Sequence, residues 1–262
     1  MCIRDRLQYL PNLFQVKEFR EPFLGGGSVA LEITKRYPHI DVWVNDLYEP
    51  LYNFWCELQH NGQELQDALL GIKSIYCNPD AARCLFISSK EQINDSDLSN
   101  FDRAVAFYIV NKCSFSGLTE SSSFSAQASE SNFSTNGIER LTEYSEIIER
   151  WKITNLSYES MLCDDKDTFI YLDPPYDIKD NLYGKKGEMH KRFDHDKFAH
   201  DCDQHTCPML ISYNSDQIIR DRFYEWTVGE FAHTYTMRSV GCYNIDQATR
   251  KELVLTNYEM RS

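Results

Sequence analysis

The 262-residue chain lacks several features that would have classified it at once. It has no run of about 18 or more apolar residues, so no membrane-spanning helix is expected. The opening Met1-Cys-Ile-Arg-Asp-Arg6 is followed by no apolar core, which argues against secretion. The nine cysteines are scattered, odd in number and include no Cys-x-x-Cys pair. Reduced thiols in a cytoplasmic setting fit this usage better than a disulfide framework. Positive charge is scarce too: 27 Lys and Arg stand against 40 Asp and Glu, a formal net charge of −13. Such a surface does not attract polyanions as a whole, but it permits a local basic groove. Lys185, Lys186, His190, Lys191 and Arg192 form the densest basic group, and Asn111-Lys112 a smaller one. His190, His195, His200, Cys202, His205 and Cys207 lie close in sequence, yet their spacings match none of the common zinc patterns, and no metal site is expected.

What remains is an ordinary globular composition, 42% hydrophobic and 26% charged, long enough for one large domain carrying an insertion. Val16 to Leu24 reads as a strand running into a glycine turn, Val29 to Lys35 as a helix, and Asp41 to Val44 as a second strand. Asn45-Asp46 is expected to cap the next helix, whose Leu47, Leu51, Phe54, Trp55 and Leu58 share one face, with Pro50 in its first turn. This is the beginning of a doubly wound α/β sheet. From Asn61 to Trp151 the pattern turns helical, and Asn136 with Glu139 suggests a capping box. The serine-rich Ser114–Thr135 segment inside it reads as a mobile loop. Strands return at Lys152–Leu156, Thr168–Leu172 and Pro208–Tyr213, with a closing pair at Glu230–Thr236 and Glu252–Tyr258. The expected division is therefore a core of 1–60 and 151–262 and an insertion of 61–150.

Two motifs carry chemistry. Glu21-Pro22-Phe23-Leu24-Gly25-Gly26-Gly27-Ser28 puts glycines between a strand and a helix, where backbone can approach a ligand closely. Asp46 follows about twenty residues later, at the end of the second strand, where an acidic residue in nucleoside-binding folds accepts the ribose hydroxyls. Ala30 stands where Gly-x-Gly-x-x-Gly would need its third glycine, which favours a single adenosyl group over a dinucleotide. A plain tight turn with Asp46 as a cap is the competing reading.

The second motif is Asp173-Pro174-Pro175-Tyr176, directly after a β-rich run. By composition it should occur on the order of once per thousand chains of this length. Asp173 supplies a carboxylate acceptor. The two prolines fix φ and so hold the Pro174 carbonyl in one direction. Tyr176 offers a ring on which a base can stack. Two fixed acceptors beside a stacking ring suit an exocyclic amine. Accepting hydrogen bonds from both of its hydrogens frees a lone pair otherwise delocalised into the base, and acceptors aimed at the developing positive charge invert the logic of an oxyanion hole. In a duplex the base must first be flipped out. These residues alone do not distinguish adenine from cytosine, or DNA from RNA.

Glu21–Ser28, Asp46, Asn111-Lys-Cys-Ser-Phe-Ser-Gly-Leu118, Tyr171–Tyr176, Leu182-Tyr-Gly184, Gly187, His190, Phe193-Asp-His195 and Lys251–Tyr258 together resemble the Dam-like DNA adenine-specific methyltransferases, especially phage-type members. The resemblance spans nearly the whole chain. It implies a Rossmann-like methyltransferase sheet with a helical target-recognition insertion. It also implies S-adenosyl-L-methionine as methyl donor and double-stranded DNA as substrate, in a monomer acting in the cytoplasm of a bacterial or phage-infected cell, with or without a restriction partner. By the same resemblance Glu21, Pro22, Phe23, Gly25, Gly26, Gly27, Ser28, Asp46, Ser157, Tyr158 and Asp173 hold the cofactor. Asp173, Pro174, Pro175 and Tyr176 act on the base. Asn111, Lys112, Ser114, Lys185, Lys186, His190 and Arg192 contact DNA. The start departs from the family's Lys-(Trp/Tyr)-x-Gly-Gly-Lys segment, so a truncated or replaced N-terminus is expected. The alternatives are a cytosine N4 or RNA adenine methyltransferase, or a catalytically impaired DNA-binding remnant.

Overall fold

A computed structural model describes residues 9–115, 122–176, 193–232 and 251–260. Among the described residues seven strands form one sheet: β1 (Glu18–Glu21), β2 (Asp41–Asn45), β3 (Lys152–Thr154), β4 (Thr168–Leu172), β5 (Met209–Asn214), β6 (Thr227–Ala232) and β7 (Lys251–Thr256), in the order β3-β2-β1-β4-β5-β7-β6. β1 pairs in parallel with β2 and β4, and β4 with β5; β7 runs antiparallel between β5 and β6. The order reverses between β1 and β4, the point where open α/β sheets bind ligands beyond their carboxyl ends. This is the Rossmann-like α/β sheet that the sequence led us to expect.

β4 is buried at every position, as a strand covered on both faces must be. Ile170 and Leu172 pack with Met209, Ile211 and Tyr213 against Phe198, Ala199 and Cys202 of helix α9 (His195–Asp203). On the other face Phe169 meets Phe19 of β1, ring centroids 5.8 Å apart. Helix α1 (Ser28–Arg36) links β1 to β2 and buries Val29, Ala30 and Ile33.

By contact the chain divides into two compact units at Asn45/Asp46 and Asn155/Leu156. The first holds most of the sheet, with α1, α9 and α10 (Gln217–Arg222). The second is mainly helical: α2 (Glu49–His60), α3 (Gly62–Ile75), α4 (Pro79–Gln92), α5 (Asn100–Cys113), α6 (Ala126–Ser131), α7 (Thr135–Glu139) and α8 (Leu141–Ile148). Its centre is α5, apolar without a break from Ala104 to Val110 and buried along that stretch, as befits a helix covered on all sides. Phe107 and Tyr108 lie 5.5 and 5.9 Å from the Phe54 ring. Arg103 grips both Glu49 oxygens at 3.1 and 3.0 Å.

Three local expectations need correction. Asn45-Asp46 does not cap α2. Asn45 ends β2, Tyr48 is the N-cap, and Asp46 Oδ1 instead accepts the Tyr48 amide at 2.9 Å in an Asx turn. The capping box at Asn136 is not formed. Ser134 accepts the Gly137 amide and caps α7, and a new helix begins at Leu141. The described part of the serine-rich segment is not a bare loop: it contains α6, capped by Ser125. Its serines serve as caps, and its phenylalanines anchor it. Phe133 is wholly buried beside Tyr108, and Phe124 meets Phe86 at 5.7 Å. Serine-rich composition therefore reflected helix ends.

Candidate active site

The glycine loop leaves the tip of β1 and α1 follows it. Gly25 and Gly27 have φ of +49° and +64°, a region that L side chains enter at a cost of about 1–2 kcal/mol. The Gly27 amide closes the turn on the Leu24 carbonyl at 2.8 Å. A Cβ built on Gly25 or Gly26 would meet nothing within 4 Å, so the loop borders open space on the side where a ligand could lie. Gly27 offers α1 no side-chain cap; Glu21, buried beneath the loop, accepts the Ala30 amide at 2.9 Å. A carboxylate thus already occupies the positive end of this helix. That arrangement disfavours a phosphate and suits a ligand with positive charge.

Asn45, 1% exposed, ties the neighbouring loops together. Its Nδ2 donates to the carbonyls of Pro22 at 3.1 Å and Leu156 at 2.9 Å, and its Oδ1 accepts the Leu156 amide at 2.7 Å. Its own carbonyl accepts the Leu24 amide at 2.9 Å. Asp46 follows at once and leaves β2 by the edge from which the other parallel strands emerge. Asn155 Nδ2 donates to its carbonyl at 2.7 Å.

Past Leu156 come Ser157, exposed and bonded to Glu159, and Tyr158. The Tyr158 ring stacks on Phe23 at 5.8 Å, and its hydroxyl donates to Asp201 at 2.7 Å. Burial, reinforced by that bond, pushes the Tyr158 phenol well above the ordinary tyrosine range. Lys197 bridges Glu159 and Asp201 at 2.8 and 2.6 Å. Phe23 therefore belongs as much to an aromatic cluster with Tyr158, Phe193 and Phe198 as to the glycine loop.

One strand over, Asp173 to Tyr176 leave the tip of β4. Asp173 is half-buried, Pro174 buried, and Tyr176 half-buried. The Tyr176 ring lies 6.2 Å from that of Tyr213, at 32°. Tyr213, fully buried on β5, is hydrogen-bonded through its hydroxyl to His195 Nδ1 at 2.5 Å. No local pattern foretells this Tyr176–Tyr213–His195 relation, because β4, β5 and the start of α9 meet only in the fold. Asn45 beside Asp46 has the local pattern of a helix cap, and its partners at Pro22 and Leu156 are evident only in the fold.

Of the residues expected to meet DNA, Asn111 and Lys112 lie in the last turn of α5. Lys112 Nζ sits 5.4 Å over the Tyr108 ring, and burial lowers its pKa. Ser114 is fully buried, and its hydroxyl donates to the Asn111 carbonyl at 3.2 Å, so it holds the helix end. Lys185, Lys186, His190 and Arg192, like the altered N-terminal start, lie outside the described residues. Among the described residues, no helix is long and apolar enough to cross a membrane.

A family model described as D12 class N6 adenine-specific DNA methyltransferase matches residues 4–237. The type II methyltransferase M.MjaIII of Methanocaldococcus jannaschii is 23% identical over 172 residues. That match covers 62% of this chain and 59% of the relative.

Proposed function

Because the chain belongs to the D12 class N6 adenine-specific DNA methyltransferase family, we propose that it methylates the exocyclic amine of a flipped adenine in double-stranded DNA, with S-adenosyl-L-methionine as donor. The observation that supports this best is topological. The glycine loop and Asp173–Tyr176 leave adjacent parallel strands, β1 and β4, on the two sides of the strand-order reversal. A donor held by one and an amine held by the other would meet in a single crevice.

The residues present suit the donor. Open space borders Gly25 and Gly26, a carboxylate rather than an anion site underlies the loop, and Asp46 follows β2 with a carboxylate for the ribose. Phe23, Ser157 and Tyr158 supply the surroundings of its adenine. When bound, S-adenosyl-L-methionine supplies a methyl group activated on a sulfonium. Asp173 and the Pro174 carbonyl accept hydrogen bonds from the two N–H groups of the target amine, which frees its lone pair, and Tyr176 stacks on the base. Pro175 keeps that carbonyl fixed. The helical unit, with Asn111 and Lys112, and the basic Lys185–Arg192 segment carry target recognition, as a monomer in the cytoplasm.

Expression in cells devoid of base methylation, followed by direct sequencing of modified bases, tests this. N6-methyladenine at one fixed short motif is expected. N4-methylcytosine, methylated RNA or no modification at all would refute it. Asp173→Ala should abolish the mark while the unfolding midpoint stays near that of the parent; retention of more than about a few per cent of activity would remove Asp173 from the chemistry.

A further inference from the structure

Asn45 carries no role in the reading above, and it cannot touch a ligand, being 1% exposed. Its amide nevertheless engages three peptide groups from two separate segments: the Pro22 carbonyl, the Leu156 carbonyl and the Leu156 amide, at 3.1, 2.9 and 2.7 Å. Pro22 leads into Phe23 and the glycine loop. Leu156 leads into Ser157 and Tyr158. Asn45 itself is joined to Asp46. The stretches leading to the glycine loop and to the adenine side of the donor therefore converge on one side chain.

We propose that Asn45 is a positioning residue of the nucleoside-sulfonium site: it sets the spacing of the glycine loop and the adenine-side loop by clamping the backbone at Pro22 and at Leu156. The chemistry requires an amide. Two carbonyls need donors and one N–H needs an acceptor, all from one short side chain, and only Asn among side chains of this length presents both. Aspartate would set a carboxylate against two carbonyls, and serine cannot reach all three groups. With the clamp gone, each loop relaxes separately, and the site must be reassembled by the ligand at the expense of affinity.

The inference rests on the proposed function, and its test separates the two. Titration calorimetry of the full chain with S-adenosyl-L-methionine compares the parent with Asn45→Ala and with the milder Asn45→Ser. Both variants are expected to unfold cooperatively without ligand and to bind the donor about tenfold or more weaker, the loss of one to two hydrogen bonds' worth of order. In turnover, KM for the donor should rise while kcat at saturating donor and KM for DNA hold. A change confined to folding would instead lower the active fraction and leave both KM values alone. Parent-like donor affinity in a folded variant overturns the proposal. So does a fall in kcat with unchanged KM, or the failure of both variants to fold, which would make Asn45 a requirement of the fold alone. Absence of binding by the parent would count against the proposed function itself.

Discussion

Glu21 offers the sharpest test of how the glycine loop is built. Its carboxylate accepts the amide of Ala30, the third residue of α1, from a buried position. The N-cap, Gly27, has no side chain to do so. Two terms follow. The capping hydrogen bond is worth about 1 kcal/mol, and the negative charge at the positive helix end adds about 1 kcal/mol in a buried setting. Glu21→Ala should thus cost about 2 kcal/mol, which for a chain of this size lowers the unfolding midpoint by roughly 4–8 °C. Glu21→Gln keeps an acceptor and loses the charge, so it should fall about halfway between. Thermal unfolding without ligand reads both. If Glu21→Ala unfolds within about 1 °C of the parent, the carboxylate does not hold α1, and its burial beneath the loop needs another reason. If Glu21→Gln costs as much as Glu21→Ala, charge rather than capping accounts for the whole effect.

In the helical unit, a Cβ at Gly62, the first residue of α3, would collide with the Cβ and hydroxyl of Ser145 on α8. Gly62→Ala should destabilise by about 1–3 kcal/mol, and adding Ser145→Gly should restore most of it; an unchanged denaturation midpoint for the single variant would contradict the close approach of these helices. Tyr158, half-buried and bonded to Asp201, has its phenol raised above the ordinary value of 10.0 by desolvation and by that bond. The neutral form is therefore favoured on folding, and its contribution is intact below about pH 10 and lost as pH rises through the folded value. Stability should decline above that pH, and Tyr158→Phe should show a shallower decline; parallel curves would place the loss elsewhere.

The family's chemistry was legible in the sequence because it resides in short contiguous runs. Three glycines between a strand and a helix, and a carboxylate, two prolines and a tyrosine after a β-rich run, act through backbone conformation, which sequence encodes locally. The strands were legible for the same reason: β4 reads as an unbroken apolar run because both of its faces are covered. The caps were less legible. Ser125 and Ser134 were lost in a serine-rich background, and Asn45 next to Asp46 looked like a helix start, since an asparagine's hydrogen-bond partners are not written beside it.

What only the tertiary structure decided is what distant segments do to one another. Parallel pairing of β1 with both β2 and β4 brings the glycine loop and Asp173 to one edge. The same edge turns Asn45 into a clamp on residues 23 and 111 positions away, and sets Tyr213, fixed by His195, beside Tyr176. Side chains can be read one by one from sequence, but a hydrogen bond across such a separation exists only once the strands have chosen their neighbours.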